Sequence, residues 1–194
     1  RIGAVRRRPR ASGRTSKPVR EPSGKTVAVI GSGPAGLAAA YHLARMGHKI
    51  TVFEDLEKPG GLLRYGIPAY RLPKDVLDAE IDDVIALGVD IRCNVRIGKD
   101  TAWDTLNEFD AVFVATGVHA SRKLGIEFED AENVISGLEL LKKIARKEPV
   151  DLGKKVVVIG GGNSAVDAAR SALRLGCEVT VFYHRSRAEM PAFE

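Results

Sequence analysis

The chain alternates short apolar runs with helix-favouring segments, a pattern typical of an α/β protein. Thr26–Ile30 is a continuous apolar run, as expected of a parallel strand that is covered on both faces. Glycines follow it, then a helix-favouring segment over Pro34–Met46 that Gly47 ends, and then a second apolar run, Lys49–Phe53. Because crossovers between strands of one sheet are right-handed, the segment predicts two parallel strands joined by a helix.

The same alternation continues through the middle of the chain. Apolar residues at helical spacing, among them Leu77, Ile81 and Val84, predict a helix that begins at Pro73 and runs through Leu87. The other predicted elements are a glycine- and proline-rich loop over 55–72, a strand over Val89–Val95, a short helix around Ala102–Glu108, a buried strand over Asp110–Ala115, a loop over 118–133 and a helix over Gly137–Arg146.

The opening pattern occurs twice. Residues from Val156 onward align with residues from Val27 onward at a constant offset of 129, without a gap, as far as the pair Phe53 and Phe182. Two copies indicate two nucleotide sites, because a solenoid needs three or more repeats. The sequence therefore predicts an α/β fold, with one Rossmann-like domain followed by the first part of a second.

The first copy contains Gly31-Ser-Gly-Pro-Ala-Gly36, the G-x-G-x-x-G fingerprint, which we name the first cradle. Gly31 permits the tight turn out of the strand, Gly33 lets a diphosphate approach the backbone, and Gly36 lets the helix pack closely on the sheet. Glu54 ends the next strand, and its carboxylate can accept hydrogen bonds from ribose hydroxyls. The alternative is a glycine turn that serves packing alone.

The second copy, Gly160–Ala165, fits G-x-G-x-x-A and is named the second cradle. At the position of Glu54 this copy has Tyr183, followed by His184, Arg185 and Arg187. No carboxylate is left there to repel a phosphate, and Arg185 offers a planar donor for a ribose 2′-phosphate. This pattern favours NADP(H) over NAD(H), which stays an alternative. The two arginines could also form an ordinary solvated basic turn.

Charge is concentrated in the first 25 residues. They carry nine of the 30 Lys and Arg residues and one of the 25 acidic residues, which leaves the other 169 residues with a net charge of −3. Rich in Arg, Pro, Ser and Gly, residues 1–25 are expected to form a basic linker or extended arm. A nucleic-acid arm is the alternative, but the segment has no aromatic residue for stacking and nucleic acid is not an expected partner.

Several function classes are excluded. No run of 18 or more uncharged apolar residues exists, and the opening has no apolar signal-peptide core, so we expect no membrane insertion and a cytoplasmic location. Two cysteines cannot build a disulfide framework, and four scattered histidines have no metal-ligand spacing, so no metal site is expected. Because the chain opens on Arg1 rather than Met, we expect a piece of a longer protein.

The string Gly60-Gly-Leu-Leu-Arg-Tyr-Gly-Ile-Pro68 carries a resemblance to a known family. The chain resembles the small subunit of glutamate synthase, and is similar to the NADPH-oxidising part of dihydropyrimidine dehydrogenase and the large subunit of NADH-dependent ferredoxin:NADP oxidoreductase. These are flavoproteins with two dinucleotide-binding domains. The likeness runs from about Lys25 to Glu194. Without it, the string could be a surface turn leading to the Pro73 helix.

The resemblance implies FAD in the first cradle and NADP(H) in the second. The implied FAD contacts are Gly31, Gly33, Pro34, Ala35, Gly36, Glu54, Gly60, Gly61, Leu62, Arg64, Gly66, Ile67, Val95, Ala115, Thr116 and Gly117. The implied NADP contacts are Gly160, Gly162, Asn163, Ser164, Ala165, His184 and Arg185. It further implies an FAD-binding domain at 26–152, lacking its return segment, and the start of an NAD(P)-binding domain at 153–194.

The implied activity is electron input, with hydride passing from NADPH to FAD and electrons moving on to iron–sulfur clusters or a partner subunit of a redox complex. No side chain needs to act as an acid or base, so no catalytic residue is named. Residues 1–25 contain no cysteine, so no cluster can be ligated there, and disulfide-reductase chemistry is disfavoured because no Cys-x-x-Cys exists. The alternatives are an NADH-linked diaphorase subunit of a hydrogenase, formate dehydrogenase or electron-bifurcating complex, and a non-catalytic structural subunit.

Overall fold

The structure, a computed structural model, describes residues 20–121 and 123–192 and divides into two compact units. Of these residues, the first unit contains 20–64 and 72–117, and the second contains 65–71 and the chain from 118 onward. The predicted basic arm thus lies mostly outside the described residues. The chain passes between these units after Arg64, after Arg71 and after Gly117, and the domains at 26–152 and 153–194 stay a prediction.

The first unit is built on a four-stranded parallel sheet. Its strands are β1 (Thr26–Ile30), β2 (Lys49–Phe53), β3 (Asp90–Arg92) and β4 (Ala111–Val114), in the order β3-β2-β1-β4. The helices that join them are α1 (Pro34–Arg45), α2 (Leu62–Tyr65), α3 (Lys74–Ile85) and a 3₁₀ helix over Trp103–Glu108. The strand, helix, strand unit predicted from the opening pattern is confirmed.

The core of the first unit lies between the sheet and helices α1 and α3. Val29, Ile50 and Val52 from the two central strands are fully buried. Ala40 and Ala44, four residues apart on α1, pack against them, and their small side chains allow the helix to approach the strands closely. Burial of each branched side chain contributes roughly 1.5–3 kcal/mol, which explains the continuous apolar runs in β1 and β2.

The second unit contains a two-stranded parallel sheet, β5 (Lys155–Ile159) and β6 (Glu178–Phe182). Its helices are α4 (Gly137–Ala145), α5 (Asn163–Arg174) and a 3₁₀ helix over Arg187–Glu189. The side chain of Ser136 accepts a hydrogen bond from the Glu139 N–H at 3.2 Å and so caps the N-terminus of α4.

The repeat seen in the sequence is also a repeat of hydrogen bonds. The Gly31 N–H donates to the Phe53 carbonyl at 2.8 Å, and the Gly160 N–H donates to the Phe182 carbonyl at 2.9 Å. Each partner lies 129 positions after its counterpart. Both cradles therefore leave their strand in the same way, and the predicted α/β class with a Rossmann-like fold is confirmed.

Three elements differ from the prediction. The strand predicted over Val89–Val95 is shorter because Asn94 adopts a left-handed conformation, with φ of 57°, that no extended strand can continue. The loop predicted over 55–72 contains the short helix α2. The strand predicted as buried over Asp110–Ala115 lies at the edge of the described sheet, and Val114 is 62% exposed.

Candidate functional site: two glycine cradles

The first cradle leaves open space where a ligand could lie. Gly31 has φ of 100°, and a Cβ there would overlap the carbonyl oxygen of Ala115. A Cβ on Gly36 would likewise overlap the carbonyl oxygen of Gly31. Gly33, in contrast, has no other heavy atom within 4 Å of a built Cβ. Two of the glycines are thus required by the protein's own packing, and the middle one borders space that a diphosphate can fill.

Helix α1 presents a positive end to that space. Its N-cap is Gly33, which makes no side-chain cap, and no acidic residue lies in its first turn. Pro34 has no N–H, and the amides of Ala35 and Gly36 have no partner within the helix. These amides and the helix dipole favour an anion at this position.

A second glycine turn closes on the first cradle, as the sequence predicts for Gly60 and Gly61. Gly61 has φ of 51°, and a Cβ on it would lie 2.8 Å from the Cα of Gly33. The Gly60 N–H donates to the Ser32 carbonyl at 3.1 Å. The two turns touch through bare backbone, which explains why side chains are missing at this point.

Glu54 is buried, with 4% of the residue exposed, and its carboxylate is held by three donors. Oε2 accepts from the Ser32 N–H at 2.9 Å and from the Ser32 hydroxyl, and Oε1 accepts from the Leu56 N–H at 2.9 Å. Sequence analysis missed Ser32, because it fills a position of the fingerprint at which any residue is allowed. The Val95 N–H donates to the Glu54 carbonyl at 2.9 Å, so this N–H is already used within the protein.

Arg64 anchors the segment around α2. Its Nε donates to the Pro59 carbonyl at 2.6 Å, and its Nη2 lies 2.5 Å from Asp78 Oδ1. Lys74 donates to the Leu63 carbonyl at 2.8 Å, and burial beside the Arg64 guanidinium lowers the pKa of its ammonium group. Leu62, which is predicted beside the ribityl-diphosphate, belongs to α2, whereas Gly66 and Ile67, which are predicted on the flavin side, belong to the second unit.

The segment after β4 lies beside the first cradle. Ala115 continues the sheet, since its N–H donates to the Ile30 carbonyl at 2.8 Å. Thr116 comes next, with its Cα 3.3 Å from a Cβ built on Gly31, and Gly117 turns the chain with φ of 69°. All three predicted residues therefore follow the carboxyl end of a strand, where ligands of parallel sheets bind.

The second cradle repeats the open geometry. Gly160 has φ of 132°, and a Cβ on it would lie 3.2 Å from the Ala165 Cβ. A Cβ on Gly161 would meet the ring of Tyr183, at 2.7 Å from Cδ2. Gly162 again has nothing within 4 Å and is the uncapped N-cap of α5, which begins with the predicted contacts Asn163 and Ser164.

The end of β6 forms a compact basic turn. The rings of Tyr183 and His184 lie 4.6 Å apart, and Arg185 is exposed. The Glu189 carboxylate accepts hydrogen bonds from the Ser186 N–H and hydroxyl, and these bonds lower its pKa. The Glu189 carboxylate is therefore committed to Ser186, and His184 and Arg185 stay exposed.

A cluster around Asp167 was missed in the sequence. Asp167 lies on α5 with its side chain 6% exposed, and Arg71 Nη1 lies 2.7 Å from its Oδ2. The Tyr70 hydroxyl is 3.3 Å from Oδ1, and the Arg174 guanidinium lies over the Tyr70 ring at 3.9 Å. Burial and the charge of Asp167 raise the pKa of Tyr70. No local pattern reveals this cluster, since its partners are 96 positions apart.

Other kinds of site were sought in the described part of the chain. Residues 20–121 and 123–192 contain no group of three or more His, Cys, Asp or Glu side chains placed to hold a metal ion. Cys93 and Cys177 are free thiols, and burial raises the pKa of Cys93. Within the same residues, no helix is long and apolar enough to span a membrane.

Comparison with known proteins identifies relatives of this arrangement. A sequence profile described as pyridine nucleotide-disulphide oxidoreductase matches residues 25–194. The NADP(+)-dependent formate dehydrogenase subunit beta of Moorella thermoacetica is 53% identical over 175 residues, which cover 88% of this chain and 25% of the relative. The glutamate synthase (NADPH) small chain of Escherichia coli is 41% identical over 182 residues, which cover 87% of this chain and 39% of the relative.

A solved structure agrees with the fold. The structure of FprA, a Mycobacterium tuberculosis oxidoreductase, which revealed a covalent modification of NADP+, matches with a TM-score of 0.72 and 25% identity. The match covers 89% of this chain and 46% of FprA. The resemblance predicted from Gly60–Pro68 and the two cradles is confirmed. The chain spans between a quarter and two fifths of the length of the two curated relatives.

Proposed function

Because this chain belongs to the pyridine nucleotide-disulphide oxidoreductase family, we propose that it is the nucleotide-binding part of an electron-input flavoprotein. In this proposal the first cradle holds FAD and the second cradle takes up NADPH. The family membership supports the predicted enzyme class, an FAD-dependent NAD(P)H oxidoreductase, and FAD and NADP(H) as its cofactor pair.

The observation that carries the proposal is the pair of open cradles. Gly33 and Gly162 are the middle glycines of two equivalent turns, and each borders space free of protein atoms within 4 Å. Each turn is followed by an uncapped helix N-terminus without acidic residues in its first turn. The residues present therefore fit two dinucleotides, one at each cradle.

The residues of the first cradle would bind FAD in a fixed pose. The amides of Ala35 and Gly36 would meet its diphosphate, Glu54 would meet the adenosine ribose, and the Gly60–Gly61 turn would lie along the ribityl-diphosphate part. When bound, FAD would supply the chemistry, accepting the two electrons of a hydride from NADPH and releasing them singly. The protein would position both cofactors and exclude water. It would need no general acid or base.

NADPH is proposed over NADH because of the residues after β6. His184 and Arg185 are exposed, and Glu189 is held by Ser186. An arginine without a competing carboxylate suits a 2′-phosphate, whereas an NAD-binding turn would carry a carboxylate for the 2′-hydroxyl. The M. thermoacetica and E. coli relatives are named for NADP(+) and NADPH, and this supports the same choice here.

Partners are also part of the proposal. The two curated relatives are named as one subunit or one chain of an enzyme, and this chain matches only part of each. We therefore expect an iron–sulfur or catalytic partner subunit that accepts the electrons.

The domain boundaries at 26–152 and 153–194 stay a proposal. A cytoplasmic location is proposed as well, supported by two free cysteines, which suit a reducing compartment.

The proposal is tested by hydride transfer in the purified protein loaded with FAD. Bleaching of the flavin absorbance by NADPH should be at least tenfold more efficient than by NADH. Arg185→Ala should reduce efficiency with NADPH about tenfold and leave NADH unchanged, since one charge-assisted contact to the phosphate is lost. Lys155→Ala is the matched control. It removes an equal charge, but Lys155 is the first residue of β5, at the end of the strand opposite to the second cradle. Equal effects of the two variants would refute the assignment.

A formate dehydrogenase assembly is the second candidate, because the M. thermoacetica relative carries that name. The NADH-linked form of this hypothesis predicts equal or faster bleaching by NADH in the same assay. The third alternative, a structural subunit, predicts a colourless protein that cannot be reconstituted with FAD.

A further inference from the structure

Ser32 belongs to the first cradle and lies between two other segments assigned to cofactor binding, Glu54 and the Gly60–Gly61 turn. It is the residue between Gly31 and Gly33, it has no exposed surface, and only Gly31 separates it from the end of β1. A buried hydroxyl is costly unless its hydrogen bonds are made, so its partners define its role.

Those partners are Glu54 and Gly60. The Ser32 hydroxyl donates to Glu54 Oε2 and accepts a hydrogen bond from the Gly60 N–H at 3.1 Å. The Ser32 N–H donates to the same Oε2 at 2.9 Å, and the Ser32 carbonyl accepts from the Gly60 N–H at 3.1 Å. A single residue thus connects the end of β2 with the glycine turn that faces Gly33.

These contacts determine which oxygen of Glu54 can meet a ligand. A carboxylate has about four acceptor positions, two on each oxygen. On Oε2 both positions are taken by Ser32, and on Oε1 one is taken by the Leu56 N–H at 2.9 Å. Within the part of the chain that the structure describes, these contacts leave one acceptor position, on Oε1. Ser32 therefore orients the carboxylate before any ligand arrives.

We propose that Ser32 is a positioning residue of the FAD site, which orients Glu54 toward a hydroxyl of the adenosine ribose and holds the Gly60 turn beside the first cradle. This inference rests on the proposed function, because FAD is taken as the ligand of that cradle. A preorganised carboxylate binds better than a free one, since no rotamer has to be immobilised when the ribose arrives.

The test compares FAD with an analogue whose adenosine ribose lacks both hydroxyls. Affinities are measured with the full chain stripped of flavin, by quenching of flavin fluorescence. The unmodified protein should prefer FAD about tenfold or more, the value of one hydrogen bond to a charged group. In Ser32→Ala this preference should fall to about twofold or less, because the Glu54 carboxylate loses the donor that orients it.

Ser171→Ala is the matched control, because Ser171 is also a buried serine but lies on α5 in the second unit and is not part of the first cradle. It should keep the full preference for the ribose hydroxyls. If Ser32→Ala does not fold, Ser32→Cys decides the question: it keeps the size of the side chain and a weak donor, and an intermediate preference is expected.

Two results would overturn the inference. One is a Ser32 variant that binds both flavins more weakly but keeps the full ratio, as a purely structural role predicts. The other is an unmodified protein that binds FAD without any preference for the ribose hydroxyls. Failure to bind FAD at all would instead contradict the proposed function, together with the inference that depends on it.

Discussion

The ion pair between Arg71 and Asp167 offers a direct test of the packing of the second unit. Arg71 Nη1 lies 2.7 Å from Asp167 Oδ2, and the Asp167 side chain is only 6% exposed. Replacement of Arg71 with methionine keeps much of the packing volume but removes the guanidinium. Asp167 then remains buried and keeps, among the described residues, the Tyr70 hydroxyl at 3.3 Å as its polar side-chain partner.

The magnitude follows from the burial of the two side chains. Removing one partner of a buried pair costs about 3–5 kcal/mol. Because the Arg71 side chain is 29% exposed, water can compensate part of this loss, and we expect a decrease of about 2 kcal/mol in the free energy of unfolding. Adding Asp167→Leu to Arg71→Met should recover most of the loss, because the unpaired charge is then gone.

Urea unfolding of the full chain, followed by circular dichroism, measures these differences. Lys123→Met is the matched control in the same unit: its ion pair with Asp130 has a distance of 2.6 Å, but the side chains are 67% and 78% exposed. That pair should contribute less than about 1 kcal/mol. If Arg71→Met destabilises the protein no more than Lys123→Met does, or if the double variant recovers nothing, burial does not govern the strength of this pair.

Three further perturbations have defined outcomes. Hydrogen bonds from Lys25 and Thr26 lower the pKa of Asp110 from 3.8 to about 2. Its stabilising contribution is therefore complete above about pH 4 and is lost as the pH falls toward 2. The free energies of unfolding of the native chain and Asp110→Asn should differ at pH 5 and converge near pH 2. Ser136→Ala should lower the free energy of unfolding by about 1 kcal/mol in the same urea assay, because the α4 cap is lost. Gly162→Ala should leave the melting temperature unchanged, since φ is −82° and no atom lies within 4 Å, yet raise the KM for NADPH about tenfold or more by filling the space of the diphosphate. An unchanged KM would show that no diphosphate lies there.

The fold could be predicted from the sequence wherever local pattern and packing agree. The runs at Thr26–Ile30 and Lys49–Phe53 form strands with the predicted bounds, since each is apolar on both faces and bordered by glycine or charge. The cradles were found for the same reason, because each glycine fingerprint lies directly between its strand and its helix, within a few residues of sequence. The exposure of β4 could not be predicted, since an apolar run does not reveal whether it lies in the middle or at the edge of a sheet.

Side chains that act across long separations were missed. Ser32 fills an unspecified position of the fingerprint, and its role appears only when Glu54 and Gly60, 22 and 28 positions later, lie beside it. Asp167 occupies the position that Ala38 has in the first copy, and the sequence around it does not indicate that Arg71 is its partner. Both residues are polar and buried, and such residues have to be identified from contacts rather than from periodicity.

The two copies share one backbone geometry but present different groups at the end of their second strand. In the first, Glu54 is 4% exposed and its carboxylate is fixed by three internal donors, an arrangement that favours slow dissociation because few groups need to be ordered on binding. In the second, the groups at the equivalent strand end, His184 and Arg185, are exposed. Exposed charge speeds the encounter of a charged ligand and adds little to its residence time. This contrast suits a flavin that stays bound through many turnovers and a nucleotide that must leave after each one. Salt should therefore weaken NADPH binding strongly and FAD binding only slightly, and an equal salt dependence of the two affinities would contradict this division between the copies.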